Sequence, residues 1–324
     1  MTFTPLSGNP IRRPPEETPP ASIQARDRPG DRIFRGVSVG SGVLILVTLG
    51  GVALFLMREA YPALADPSQF DKGFLDYVAP YLFGTVWSAF LALLLATVPA
   101  VAVALYVSHY APPVLARTLG LVIDLLAAIP SVVYGLWGIF VVAPVLASSV
   151  FPWLEERLVF LPFFEGPTIT SGRTMLTVAV VLAVMILPII TAISREVFMQ
   201  TPGLHQEAAL ALGATKWEMI KMAVLPYSRS GIISGAMLGL GRALGETMAV
   251  AIILSPASVI SFNLLGSQNP NTIAANIALD FPESSGLDVN RLIATGLVLF
   301  VLTFAVNFLA RYITNKRADF SGAN

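Results

Sequence analysis

Inside an otherwise apolar run from Gly231 to Leu254, the segment GRALGETMAV (241–250) places Arg242 and Glu246 four residues apart. An ionised side chain at the centre of a bilayer costs about 2.5 to 3.5 kcal/mol on insertion scales, so a guanidinium there needs a partner, water or a task. On one continuous helix this spacing puts both side chains on the same face, within mutual reach. Two chemistries fit. A buried salt bridge would tie a helix bundle together, although such a pair gains little net stability over apolar packing. Alternatively, Arg242 offers planar bidentate donors to the oxygens of a passing oxyanion. Glu246 would then either hold the guanidinium between turnovers or pair with a base of a neighbouring subunit, and the residues alone leave both open. Ser131 and Tyr134, beside Pro130, are candidate hydroxyl donors to an anion. Asp124 lies in another apolar stretch, with Arg117 two turns earlier as its expected partner. Gly231, Gly235 and Gly239, then Gly241 and Gly245, recur every four residues. That spacing lets helix backbones approach closely, and a second membrane subunit is the expected neighbour.

Only a membrane-embedded helical bundle would position these residues. The 324-residue chain is 55% hydrophobic and 12% charged, against about a quarter charged in soluble domains, and its mean hydropathy is +0.73. Twenty basic and 20 acidic side chains balance to zero net charge, so nothing points to nucleic acid. There is no cysteine, which removes disulfides, thiolate catalysis and cysteine-bound metals. His109 and His205 are too few and too far apart for a histidine metal site. No cofactor is expected in this chain.

Residues 1–32 carry seven prolines and few apolar side chains, and are expected to be a disordered cytoplasmic tail. The run Gly36 to Met57 is about 33 Å long as a helix, enough to cross the hydrocarbon core. Ala63-Leu64-Ala65 resembles a signal cleavage site, but the apolar run before it is too long for a signal peptide and follows a polar tail, so it is taken as a span. Five more spans are expected, at about Tyr81 to Val107, Leu121 to Leu146, Met175 to Ile193, Gly231 to Leu254 and Ile293 to Tyr312. In the long stretch from Val114 to Ser149, a first helix from Val114 to Ala128 is expected to break near Pro130. Residues 318–324 would be a short tail.

Six spans put both termini on one side. Arg12, Arg13, Arg26, Arg28, Arg32, Arg35, Arg117, Arg195, Lys216, Lys221, Arg229, Arg311, Lys316 and Arg317 flank one set of span ends. Only Arg58, Lys72, Arg157, Arg173 and Arg291 flank the other. The excess places both termini in the cytoplasm. The polar segment 255–290, with Ser255, Asn263, Gln268, Asn269, Asn271 and Asn276, then lies outside, where it would suit docking of an external binding protein.

The loop from Ser194 to Ser230 is polar yet helix-forming, broken at Pro202-Gly203 and stopped at Pro226. Leu210, Trp217 and Ile220 fall near one helical face, the pattern of a partner surface or of a helix lying on lipid headgroups. Its residues Glu207-Ala208-Ala209, then Gly213, then Ala223-Val224-Leu225-Pro226 resemble the EAA signature of ABC-importer permeases, except that Ala223 stands where isoleucine is usual. The segment from Ala128 to Gly138 and GRALGETMAV are similar to the membrane subunits of the phosphate ABC importer, specifically PstC-type permeases. This similarity runs from about Arg32 to the C-terminus. The sister permease shares the Arg-x-x-Gly-Glu pattern but is expected to differ after it, where this chain has Met248-Ala249.

The resemblance implies an all-α, six-transmembrane-helix, type I ABC importer permease fold with cytoplasmic coupling helices. It also implies transport of inorganic phosphate across a bacterial plasma membrane, with no covalent chemistry in this chain. Glu207, Ala208, Ala209, Gly213, Leu225 and Pro226 would form the ATPase-coupling surface. The implied partners are a second, PstA-type permease, two PstB-type ATPases and an extracytoplasmic PstS-type phosphate-binding protein. No phosphate-cradling G-x-x-x-x-G-K-[ST] sequence occurs, so ATP-Mg belongs to the ATPase. Another oxyanion such as sulfate or molybdate is the alternative cargo. A secondary anion transporter, with Arg242 and Glu246 relaying charge, is the alternative class, and the EAA loop argues against it.

Overall fold

The computed structural model describes residues 29–66, 70, 73–158, 160–164 and 167–318. The expected tail over 1–28, the last residues of the chain, and Arg12, Arg13, Arg26, Arg28 and Lys72 lie outside them. Residues 29–32, expected as the end of the tail, instead open the first helix, α1 (Pro29–Ala65). As far as Gly51 this helix is a unit of its own. Its apolar side chains there, such as Ile45 and Leu46, are exposed, as befits a surface whose solvent is lipid.

The second unit, Val52 onward, is built around two long helices, α2 (Phe74–Leu105) and α7 (Met175–Met199). Ala89, Ala92, Ala96 and Ala100 of α2 are fully buried and recur at one-turn intervals. Their small size lets the larger Val178, Leu182, Met185, Ile186 and Ile190 of α7 fill the same core. Lipid is as apolar as leucine, so close packing of this kind, and not exclusion of water, holds such helices together. A π-helical turn (Tyr106–Tyr110) extends α2, and the 15-residue α3 (Pro113–Ala127) follows.

The break comes at Ala128–Pro130, as the proline requires. Beyond it α4 (Ser131–Trp137), α5 (Ala143–Val145) and α6 (Phe151–Arg157), joined by π-helical turns, form one run. The third crossing is therefore Ser131–Arg157 and not Leu121 to Leu146. Helix α3, about 22 Å long, is too short to span.

After α7 come α8 (Gly203–Ala211), α9 (Lys216–Met219) with a π-helical turn to Val224, and α10 (Leu225–Leu244). Next are α11 (Met248–Ile253), a parallel pair of two-residue strands, β1 (Pro256–Ala257) and β2 (Asn269–Pro270), α12 (Ile273–Asp280) and α13 (Leu287–Ala318). Among the described residues, five helical runs are long and apolar enough to cross a membrane. The fifth of the six expected spans, Gly231 to Leu254, is not one helix. The chain turns at Gly245–Thr247 between α10 and α11, and Arg229, Arg242 and four glycines make α10 less apolar than the others.

Candidate functional site

The turn at Gly245–Thr247 changes what Arg242 and Glu246 can do. With the helix interrupted, the two no longer share a face, and among the described residues they form no ion pair. Glu246 is 7% exposed, and its Oε1 accepts the backbone N–H of Ala249 at 3.0 Å. The carboxylate thus caps the first turn of α11, where free amides and the positive end of the helix dipole favour an anion. This corrects the expectation that Glu246 holds Arg242. Arg242, half-buried near the end of α10, keeps a buried Nε with no hydrogen-bond partner among the described residues.

Tyr134 lies within electrostatic reach of Arg242. It is buried, and its hydroxyl donates to the carbonyl of Leu126 at 2.8 Å, bridging the break before α4. Its proton is therefore committed to the backbone. In this geometry its hydroxyl donates to Leu126 and not to an anion, the donor role expected of it, and its oxygen keeps capacity to accept. Ser131 is the first residue of α4, directly after Pro130, and half-buried.

The glycines divide. At Gly231, Gly235 and Gly239 an added Cβ would meet Val197, Ile193 and Ile190 of α7. The close neighbour of this stripe is therefore a helix of the same chain and not a second subunit. Gly241 has nothing nearby, and Gly245 has only its own preceding turn. Asp124 pairs with Arg195 of α7 at 3.9 Å, not with Arg117, because α3 lies along α7 and turns that carboxylate toward it.

The second constellation is the loop after α7. Helix α8 ends in a left-handed Gly213 (φ 88°), with Gly213 N–H bonded to the Leu210 carbonyl and Ala214 N–H to that of Ala209. Only glycine adopts this without steric cost. Thr215 then caps α9 reciprocally with Glu218: Thr215 N–H and Oγ1 reach Oε2 at 2.8 Å, and Glu218 N–H reaches Thr215 Oγ1 at 3.3 Å. The backbone N–H of Thr215 is the largest cause holding the Glu218 carboxyl below its ordinary pKa, with the Thr215 hydroxyl next.

Glu207 and Ala208 are exposed, whereas Ala209 is 8% exposed and packs with Phe198, Met219, Ile220 and Val224 against Ala104 and Leu105 of α2. Of the two alanines, only Ala208 is turned outward. Leu210 and Trp217 are exposed while Ile220 is buried, so the three do not share a face. Leu225 and Pro226 begin α10, where proline's fixed φ suits the first turn. Pro226 lines a cleft of about 890 Å³ together with His205, Ala208, Leu212, Tyr227 and Arg229.

Two residues escaped the sequence reading. Asn269, expected on a docking surface, is fully buried, and Asn271 and Asn276 are buried as well. Its Oδ1 accepts from Met175 N at 2.9 Å, and its Nδ2 donates to the Arg173 and Gly266 carbonyls, both at 3.2 Å. The exposed polar side chains of that segment are others, Gln268 among them. Arg173, counted only as a flanking charge, bonds three backbone carbonyls at the end of α11. Nothing in a polar loop marks one asparagine or arginine as a keystone. The Thr215-x-x-Glu218 capping signature, by contrast, was present to be seen. Among the described residues no group of three or more His, Cys, Asp or Glu could hold a metal ion.

Known proteins resemble this chain over most of its length. Residues 100–319 match the family of binding-protein-dependent transport system inner membrane components. The chain is 43% identical over 323 residues to the phosphate transport system permease protein PstC 2 of Mycobacterium tuberculosis, covering 93% of this chain and 98% of that one. It is 39% identical over 310 residues to the phosphate transport system permease protein PstC of Mesorhizobium japonicum, covering 90% and 92%. Among solved structures, a chain of a bacterial ABC transporter involved in the import of the acidic polysaccharide alginate superposes with a TM-score of 0.60 at 15% identity, covering 89% of this chain and 96% of that one.

Proposed function

The chain belongs to the binding-protein-dependent transport system inner membrane components, within them to the PstC permeases, and we propose that it forms part of the path by which an ATP-driven importer moves inorganic phosphate. It is a multi-pass transport subunit with the ABC importer permease fold, not an enzyme. The observation that carries the site assignment is Arg242: a half-buried guanidinium at a helix break, with no carboxylate partner and an unused Nε among the described residues. A fixed fork of donors suits a tetrahedral oxyanion, and binding relieves the cost of leaving the cation unpaired. Glu246 supports the site indirectly, by holding α11 and leaving Arg242 to the substrate.

In the complete transporter a PstA-type permease would complete the path and a PstS-type protein would deliver phosphate from outside. Two PstB-type ATPases carrying ATP-Mg would grip the exposed side of α8, with both termini in the cytoplasm. The loop's core of Ala209, Met219, Ile220 and Val224 joins α8 and α9 to α2 and α7, so closure of the ATPases would move the inner ends of those helices as one body.

Reconstitution of the four proteins in liposomes tests this. ATP-dependent uptake of labelled phosphate is expected, uncompeted by equal sulfate or molybdate. Arg242→Gln should lower uptake roughly a hundredfold, the value of a charge-assisted contact of about 3 kcal/mol, without loss of assembly. Uptake without ATP, or of sulfate in preference to phosphate, would overturn the proposal.

A further inference from the structure

Arg173 belongs to no motif, yet its guanidinium gathers three backbone carbonyls. Nε donates to Ile253 O at 3.2 Å, and Nη2 to Leu254 O at 3.1 Å and Ile252 O at 3.5 Å. These carbonyls close α11, where no further turn supplies N–H partners and the negative pole of the helix dipole lies. At the other end the Glu246 carboxylate accepts from Ala249 N–H. A helix of six residues has no stability of its own. This one carries an acid at its amino end and a base at its carboxyl end, each matched to the local sign.

Arg173 is itself fixed. Its carbonyl accepts from Asn269 Nδ2, while Asn269 Oδ1 accepts from Met175 N–H at the start of α7. The clamp thus hangs α11 from α7, the most buried of the five long apolar runs among the described residues. On its other side α11 lies against α4, with the Cα of Ala249 at the position where Gly135 leaves room. Arg242 sits just before the turn that leads into α11.

We propose that Arg173 is a positioning residue for transport: it fixes the carboxyl end of α11, and through α11 the turn at Gly245–Thr247 that aims the guanidinium of Arg242. It touches no substrate. The proposal rests on the phosphate-import reading for its transport readout, and on α11 alone for its structural one.

The test uses the assembled transporter in proteoliposomes with Arg173→Lys and Arg173→Met. Lysine keeps the charge but cannot span three carbonyls as a planar fork. Maximal phosphate uptake should fall about tenfold in Arg173→Lys, and further in Arg173→Met, as charged hydrogen bonds are lost. The concentration of loaded binding protein giving half-maximal uptake should not change. Amide hydrogen exchange should quicken at 249–254 while α7 and α13 keep their protection. Wild-type uptake, or wild-type exchange at 249–254, in Arg173→Lys overturns the proposal, as does exchange quickened through all helices, which would mark a general structural role. If Arg173→Met fails to assemble, Arg173→Lys decides. If the wild-type transporter moves no phosphate, the import reading falls, and the exchange comparison still judges the clamp.

Discussion

At Glu246 the bond that matters is 3.0 Å long and goes to the amide of Ala249. A cap of this kind contributes about 1 kcal/mol, more where the acceptor is charged. Glu246→Ala should therefore loosen α11 and lower uptake, and Glu246→Gln should do the same to a lesser degree, since an amide oxygen accepts the same proton without the charge. An alternative role as counter-ion to Arg242 makes a different forecast: removing both charges would restore what removing one had cost. The geometry says otherwise, and the double variant Arg242→Gln/Glu246→Gln should assemble no better than the worse single one, measured as yield of purified transporter. Recovery of yield in the double variant would return the two residues to a pair. Their importance was visible in the sequence, because two charges in an apolar run demand a reason. Their relation was not. Spacing of four implies contact only on a continuous helix, and glycine is too common in membrane helices for Gly245 to have announced the turn.

Helix-scale features divide by how local their causes are. The loop from α8 to α9 was legible in outline because its determinants lie within a few residues, Gly213 for the left-handed turn and Pro226 at the start of α10, and its Thr-x-x-Glu cap, equally local, was passed over. The glycine stripe of α10 was legible as a packing face, but its partner depends on contacts across some forty residues, which no local pattern encodes. Since Gly231 faces Val197, Gly231→Leu should cost about 1 to 3 kcal/mol by overpacking and lower the unfolding temperature in detergent. Gly241→Ala, with nothing near it, should leave that temperature unchanged; equal effects of the two would refute the assignment to α7. The α9 cap carries its own pH signature. Glu218 has a folded pKa below its unfolded value, so its contribution is present above the unfolded pKa and disappears as pH falls through the folded one. Exchange of the α9 amides, corrected for intrinsic rate, should therefore accelerate in that acid window, and Glu218→Gln should remove the pH dependence.

For the molecule as a whole, the open quantity is its orientation, and the bundle sharpens the case made by counting charges. At one set of helix ends, Lys216, Lys221 and Arg229 are exposed within a single loop and the first turn after it. At the other, Arg58 and Arg157 are exposed, while Arg173 is bound to carbonyls and Arg291 is paired with Asp288 at 3.3 Å and lies over the ring of Tyr77. With Arg117 also exposed on the side of α8 and α9, these four exposed cations face two on the other, and by the positive-inside rule the side of α8 and α9 is expected to be cytoplasmic. The crossings are long enough to make the assignment meaningful, since the 25 residues of α7 span about 37 Å against a hydrocarbon core of about 30 Å. Absence of cysteine from the chain makes the experiment direct, with no background to remove. Leu212, 90% exposed after α8, and Gln268, exposed before β2, should be replaced singly by cysteine in the chain expressed without its ATPase. A membrane-impermeant maleimide added to intact spheroplasts should label Gln268→Cys and spare Leu212→Cys, and in inside-out vesicles the pattern should reverse. Labelling of Leu212→Cys from outside would invert the bundle, and with it the side on which any ATPase could reach the loop.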